Sequence, residues 1–328
     1  MKNRRVIWLV LLAAVFLVNA LVVVGSIDAA TVQGRETVVR YAIELDGFIA
    51  GWLWSAEGGN ATGVVVNEKL GPDRIIRKHI DRIKYEDITV TCGAGMAKGF
   101  YEWLKNTIMS KNNPRKNGAI IQTDVNGKEV SRLNFVNAMI SQISFPALDA
   151  ASKDAAKMTI TITPQYTQQV QGSGKSLGVV MPKKWLSANF RLTIAGLDTT
   201  KVNKIDALVF KQVAVKDAVG SGRDSMQIPF QQEIPNLVIT FAEVSAQTFR
   251  NWYGDFVIKG INGDTAEKNG TLEYLDPNLK TLFTLTLQRI GIFRLTPEKV
   301  EAGSENIRRL KAEMYVEDMG FDYKSAWQ

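Results

Sequence analysis

Apolar and polar positions alternate with the two-residue period of strands along most of this chain, and two short stretches switch to a helical period. Val38-Val39-Arg40-Tyr41-Ala42-Ile43-Glu44-Leu45-Asp46-Gly47 reads as a strand closed by an Asp-Gly turn, and Phe48 to Trp54 returns as a second. Gly58-Gly59-Asn60 and Gly63 mark a long loop before Val64-Val65-Val66, and an irregular stretch around Gly71-Pro72-Asp73 leads to a strand from Ile83 to Thr91. Gly93-Ala94-Gly95 then turns the chain into a helix of about ten residues, with Met96, Phe100 and Trp103 or Leu104 on one face. Further strands are predicted over 118–124, 128–138 and 156–164, the first two joined by an Asn126-Gly127 hairpin, with a turn-like connection from Phe145 to Asp154. One helix cannot cover two sheet faces. It is expected to cap an open side or end of a β-barrel or sandwich, with Phe100 and Trp103 as packing anchors.

The same order returns in the last third. Ile234 to Phe241 reads as a strand, Phe249-Arg250-Asn251-Trp252-Tyr253 as a helical turn with anchors Phe249 and Trp252, and Asn269-Gly270 as a turn before more alternating strands. The step from Trp103 to Trp252 and the slightly longer step from Asn117 to Asn269 are the two intervals of this repeat. Leu310, Ala312 and Met314 follow Met158, Ile160 and Ile162 by the longer one, which keeps the inward positions of a strand inward. Phe190 to Leu197 answers Tyr41 to Phe48, Ala207 to Val215 answers the strand near Trp52, and Gly220-Ser221-Gly222-Arg223-Asp224 repeats the long loop. Glu298 to Ser304 replaces the turn-rich connection, and Lys311 to Val316 closes the second set. A period this long is a domain, so the pattern reads as two copies of one β-rich domain. Two unrelated β domains sharing common hairpin grammar are the alternative. The expected division is 38–166, a flexible linker over 167–187, and 188–323.

Composition adds little to fold but bounds location and chemistry. With 45% hydrophobic and 22% charged residues the 328-residue chain has ample length for two cores. Its formal net charge of +7 is spread without a cluster of cations and aromatics, so no nucleic-acid groove is expected. Lys2, Arg4 and Arg5 precede the apolar run Val6 to Val24, broken only by Asn19, and small residues follow. Residues 1–30 therefore read as a signal peptide cut near Ala29 or Ala30, or as an uncleaved N-terminal membrane anchor. Either way the globular part is expected outside the cytoplasm, extracellular or at the cell surface.

Catalysis finds little support in the sequence. His79 is the only histidine and lies in the basic stretch Arg74 to Arg82, where an exposed or partner-facing imidazole is the expectation. Cys92, the only cysteine, excludes an intramolecular disulfide and reads as a small buried hydrophobe at a strand end. Gly172-Ser173-Gly174-Lys175-Ser176 imitates part of a phosphate-binding loop, but Gln169 stands where the first glycine is needed. No catalytic residue, cofactor or metal site is expected.

The first copy resembles the phage tail tube proteins of contractile tails, whose relatives include the type VI secretion inner-tube protein. The resemblance lies in Tyr41 to Gly47, the glycine-bearing loop, Ile83 to Gly93 leading into the helix that ends at Trp103, and Phe135 to Ala138 with Phe145-Pro146-Ala147-Leu148-Asp149-Ala150. It covers about Tyr41 to Tyr166. It implies a mainly β protein, here two tandem tail-tube-like β-barrel or sandwich domains each with one flanking α-helix. It further implies a structural subunit whose strands join those of its neighbours into rings that stack as a hollow tube. The partner is then the chain itself, as three chains in a pseudo-sixfold ring or as a hexamer, with other tail-like or envelope components beside it. The loop from Gly58 to Arg82 would be the arm reaching the next ring, with Gly58, Gly59, Gly71, Arg74, Arg77 and His79 as candidate stacking residues. Gly220, Gly222 and Arg223 would serve in the second copy. Duplication and an export segment depart from ordinary tube proteins, and a monomeric exported binding module at the cell envelope is the competing reading.

Overall fold

A computed structural model describes residues 40–68, 75–110, 114–178, 181, 183–217, 226–299 and 307–324. The expected signal segment lies outside them. Its elements in order are β1 (Arg40–Leu45), β2 (Phe48–Gly58), β3 (Ala61–Glu68), β4 (Arg77–Tyr85), β5 (Ile88–Cys92), α1 (Lys98–Ile108), β6 (Lys116–Thr123), β7 (Glu129–Phe145), β8 (Leu148–Asp149), β9 (Ala155–Ala156), β10 (Met158–Thr163) and β11 (Tyr166–Gln171). There follow β12 (Trp185–Leu186), β13 (Phe190–Ile194), β14 (Val202–Ile205), β15 (Leu208–Asp217), β16 (Met226–Glu233), β17 (Leu237–Ala242), α2 (Gln247–Tyr253), β18 (Lys268–Leu275), β19 (Thr281–Pro297) and β20 (Arg309–Tyr323).

The mainly β class holds. Strands β10-β5-β2-β1-β6-β7 pair antiparallel in that order, and β7 pairs back onto β10, closing a six-stranded barrel. Closure leaves no unpaired edge around the ring of strands. Inward positions such as Ile43, Val90, Ile120, Ile143 and Ile160 are buried, as the two-residue period requires. The second set, β13-β18-β19-β20-β17-β14-β8, stays open as a half-barrel. Each carries one helix, and Phe100, Trp103, Phe249 and Trp252 are buried under them.

Four local expectations need correction. The long loop from Gly58 to Arg82 contains the hairpin β3–β4, a two-stranded sheet of its own. The strand expected from Ile83 to Thr91 breaks at Glu86-Asp87, because Gly59 donates to the Asp87 carbonyl (3.2 Å) and Glu86 to the Asn60 carbonyl (3.0 Å), and the hairpin's neck is pinned there. Strand β7 runs on to Phe145 instead of ending at Ala138; Asn137 takes φ +51° and bends the strand without ending it. Finally, the span expected as a flexible linker holds β11, which runs antiparallel along β7, and β12, whose Trp185 is fully buried against Phe283.

Backbone features recur at the two sequence intervals. The hairpin β3–β4 pairs Glu68 with Arg77 and Val66 with His79, and a bulge follows Val64; at the shorter interval β15–β16 pairs Asp217 with Met226 and Val215 with Ile228, and a bulge follows Val213. The β2–β5 pairs Leu53↔Cys92 and Ala56↔Val90 return in β14–β17 as Val202↔Phe241 and Ile205↔Ile239. At the longer interval, Asn117 Oδ1 accepts the Asn137 N–H (2.8 Å) and Asn269 Oδ1 the Arg289 N–H (3.0 Å), with φ +51° and +52° at the bonded residues. Asp124 and Asp276 each cap their turns with two 2.8 Å bonds. These registers correct one equivalence: the strand near Trp52 is answered by β14, and Ala207 to Val215 answers the start of the β3–β4 hairpin.

Candidate assembly interface

The two halves meet by strand pairing. On one edge of β7, β6 pairs as far as Ala138, and beyond it β15 of the second half continues with Leu208↔Phe145, Val209↔Ser144, Phe210↔Ile143 and Lys211↔Gln142. Strand β8 of the first half pairs in turn with β14, and Lys204 reaches Asp149 at 3.3 Å. Behind these ladders Phe145 packs against Tyr274, Phe283 and Phe321 at centroid distances of 6.1, 6.1 and 6.2 Å. Tyr274 stacks on Phe283 at 4.4 Å, and burial pushes its phenol far above the ordinary range. One continuous apolar core joins the halves. The β15–β16 hairpin also leans on the end of α1, where Gln232 Nε2 donates to the Thr107 carbonyl (2.9 Å). Asn106, Thr107, Phe230, Gln231 and Gln232 line a cleft of about 460 Å³ at that contact.

The first half's hairpin has no such strand ladder to lean on among the described residues. Strands β3 and β4 pair there only with each other, and β4 is exposed from Arg77 to Lys84. It carries Arg77, Lys78, Arg82 and Lys84 against the single carboxylate Asp81, and Val65, Ile80 and Ile83 are 58%, 61% and 37% exposed. Exposed apolar side chains beside this charge make the hairpin a candidate contact surface. Among the proposed stacking residues, Gly58 and Gly59 form the neck with φ +85° and +78°. A Cβ on Gly58 would lie 2.0 Å from the Asp87 carbonyl oxygen, so only glycine fits. Arg77 and His79 stand on β4, where His79 Nε2 lies 3.6 Å from Glu68 Oε1. Gly71, Arg74, Gly220, Gly222 and Arg223 lie outside the described residues. The helix anchors hold their turns: Trp103 Nε1 donates to the Pro114 carbonyl (2.8 Å) and Trp252 Nε1 to that of Ala266 (3.1 Å).

Three features escaped the sequence reading. The junction strands Gln142–Phe145 and Leu208–Lys211 belong to long alternating runs that give no sign of which edge they use. On β19, the segment Arg294–Pro297 pairs with β20 on one edge, and no described strand covers the other. The third is Arg132, which bridges Glu44 (2.9 and 3.1 Å) and Glu129 (2.7 Å), with Ser173 donating to Glu129 at 2.6 Å. Burial alone would raise the Glu129 carboxyl, but the bonds from Arg132 and Ser173 bring it below the usual carboxylate range. Ser173 and Gly174 of the phosphate-loop imitation are thus bonded to Glu129, the latter through its backbone N–H to the carbonyl (3.1 Å). Among the described residues no three His, Cys, Asp or Glu side chains converge as metal ligands, and no helix is long and apolar enough to cross a membrane. Cys92 is buried and its thiol is pushed up to about 12 by burial.

Comparison with known proteins gives the fold its relatives. Residues 39–168 match the model of the family described as T4-like virus tail tube protein gp19. No curated protein matches the chain. Among solved structures, a chain of the anti-feeding prophage baseplate is similar at 15% identity, with 41% of this chain and 91% of that chain covered and a TM-score of 0.34. A chain of the sheath/tube terminator of an extracellular contractile injection system, PVC, is similar at 20% identity, with 40% and 93% covered and a TM-score of 0.35. A chain of the PVC sheath-tube complex in its extended state is similar at 15% identity, with 42% and 89% covered and a TM-score of 0.31. The matched segment spans the closed barrel, its helix and β3–β4, and it agrees with the resemblance expected over Tyr41 to Tyr166. Over residues 39–168 the chain is thus similar to the T4-like virus tail tube protein family.

Proposed function

We propose that this chain is an exported structural subunit that assembles with copies of itself into rings stacking as a hollow tube, without chemistry of its own. The single observation that carries the reading is the tail-tube family match over the closed barrel. The second half is read as a copy of the same domain in a degenerate, open form, and the recurrence of hairpin, bulges, caps and tryptophan bonds at the two sequence intervals supports this. A duplicated subunit fills a ring with half as many chains as domains, so three chains would make a pseudo-sixfold ring. Residues 1–30 supply the export segment in this reading, and the exposed basic hairpin supplies a contact to neighbouring subunits. Other tail-like or envelope components would meet the ends of such a tube.

Negative-stain electron microscopy with mass measurement in solution, on the chain beginning near Thr31, tests the assembly. Rings or tubes with threefold or sixfold views are expected. A clean monomer across the accessible concentration range refutes self-assembly and leaves a monomeric binding module. Export is tested separately: cell fractionation should find the full-length product outside the cytoplasm, and a cytoplasmic product would refute it.

A further inference from the structure

We propose that the β3–β4 hairpin of one chain adds to the open edge of β19 in a second copy, pairing Asn60 to Thr62 antiparallel with Arg294 to Thr296. The proposal rests on the subunit reading above and specifies how copies join. Its template lies inside the chain. The second half's hairpin adds to β7 beyond the end of β6 through Leu208↔Phe145, Val209↔Ser144, Phe210↔Ile143 and Lys211↔Gln142. The first half's hairpin has the same pairing and the same bulge, displaced by the shorter interval of the repeat, and β19 has the plan of β7, displaced by the longer one. Carrying the junction over sets Gly59 opposite Pro297 and gives Asn60↔Thr296, Ala61↔Leu295 and Thr62↔Arg294. Among the described residues β3–β4 pairs with no third strand and β19 has no partner on the edge beyond β18, but the Gly59 N–H already donates to the Asp87 carbonyl and the Gly59 carbonyl accepts the Thr167 hydroxyl (2.6 Å), so the added ladder begins at Asn60. Glu298 donates to the Arg309 carbonyl (2.9 Å), which turns its N–H toward β20 and the Pro297 nitrogen toward the open edge. A proline there offers no donor, so the added ladder stops short of Pro297, at the margin of the sheet where proline is tolerated.

The side chains that differ between the two junctions fit a contact between chains. Inside the chain, neutral Gln231 and Gln232 face Asn106 and Thr107, three and four residues after Trp103. At the equivalent positions stand Arg82 and Ile83 on the hairpin, and Asp255 and Phe256 three and four residues after Trp252. Arg82 is thereby brought to Asp255, which in this chain pairs with Lys259 at 2.7 Å. The exposed Ile83 is brought to the turn bearing Val257 and Ile258, 38% and 72% exposed. Strand β4 carries four Lys and Arg residues, whereas β16, seated in the internal junction, carries none. One contact is between halves and the other between chains, so the arrangement is head-to-tail rather than face to face, and it gives the ring of the subunit reading where the rotation between chains closes.

Paired cysteines test the register. Asn60 and Thr296 face each other in it, and the only native thiol, Cys92, is buried and does not compete. Under mild oxidation the chain carrying both Asn60→Cys and Thr296→Cys should give a disulfide-linked ladder ending at the ring's chain number. Neither single variant should cross-link alone, and a mixture of the two should give one dimer. Self-cross-linking of either single variant would overturn the head-to-tail arrangement. Rings seen by electron microscopy with no cross-link would overturn the register alone, whereas a monomer at every concentration would overturn both it and the assembly reading. As a check that does not depend on disulfide geometry, Arg82→Glu should raise the concentration needed for half-assembly about tenfold at low salt, and adding Asp255→Arg should restore it. Failure of the second change to rescue would count against the pairing of these two surfaces.

Discussion

Replacing Phe145 with alanine removes a ring that both halves of the protein use. Its side chain is fully buried, its backbone pairs with Leu208, and it lies about equally far from Tyr274, Phe283 and Phe321 of the second half. Burying a phenylalanine contributes about 1.5–3 kcal/mol by transfer alone. The ring is held on several sides by other aromatic groups and two strand ladders, so the site cannot collapse, and the cavity left behind brings the cost to about 4 kcal/mol. Urea unfolding followed by tryptophan fluorescence and by circular dichroism measures it. With a slope of roughly 3 kcal/mol per molar for a domain of this size, the midpoint should fall by about 1.3 M. Because one apolar core runs through both halves, both probes should move together in a single transition. A shift below about 0.3 M, or a split in which only one probe moves, would refute the claim that Phe145 joins the halves into one cooperative unit.

Other consequences are as direct. Gly58→Ala would place a methyl against the Asp87 carbonyl at positive φ, and should cost about 2 kcal/mol or more in a chemical denaturation curve. Asn117→Ala and Asn269→Ala each remove the acceptor for a backbone N–H at a positive-φ residue; each should cost about 1 kcal/mol, and the double variant should be close to the sum. Tyr315 and Tyr323 are pushed up to about 12, first by burial and then by Glu267 and Glu102, whose carboxylates accept their hydroxyls at 2.7 and 2.6 Å. A phenol that keeps its proton longer when folded contributes stability that is complete below about pH 10 and disappears as pH rises toward 12. Urea midpoints should therefore fall from about pH 10 upward, and Tyr323→Phe should flatten that slope; an unchanged slope would remove Tyr323 from the cause.

Most of the strand order was legible because barrel strands obey strict alternation, and the helix was legible because Phe100 and Trp103 break it. Turn chemistry was equally readable: Asp46-Gly47 and Asn126-Gly127 form turns with Asp46, Gly47 and Gly127 at positive φ, as an Asp-Gly or Asn-Gly pair predicts. The hairpin's sequence reads as a loop because glycines flank it and β4 is dominated by exposed charge, which removes the apolar period that marks a half-buried strand. The expected linker proves to be strand for a related reason. Gln168, Gln169 and Gln171 look like solvated linker, yet their backbone pairs along β7, and composition does not report backbone pairing. Edge use was illegible for a deeper reason: alternation fixes which face of a strand is buried and says nothing of which neighbour takes its hydrogen bonds.

Where the two halves keep the same residues and where they differ separates two kinds of requirement. Asn117 and Asn269, Trp103 and Trp252, Asp124 and Asp276 hold backbone geometry, and each pair makes the same bond in the two halves. The hairpins keep their pairing and their bulge while their side chains diverge. Strand β16, seated within the chain, presents glutamines and no cation; strand β4, which meets no third described strand, presents four cations and exposed isoleucines. Exposed apolar side chains on such a hairpin would be an aggregation hazard if they met no fixed partner. A charged rim around them favours one complementary surface over indiscriminate pairing. The hairpin covered as the chain folds is thus the neutral one, and the proposed junction between copies would use the basic one, whose charge would guide it to its partner in solution.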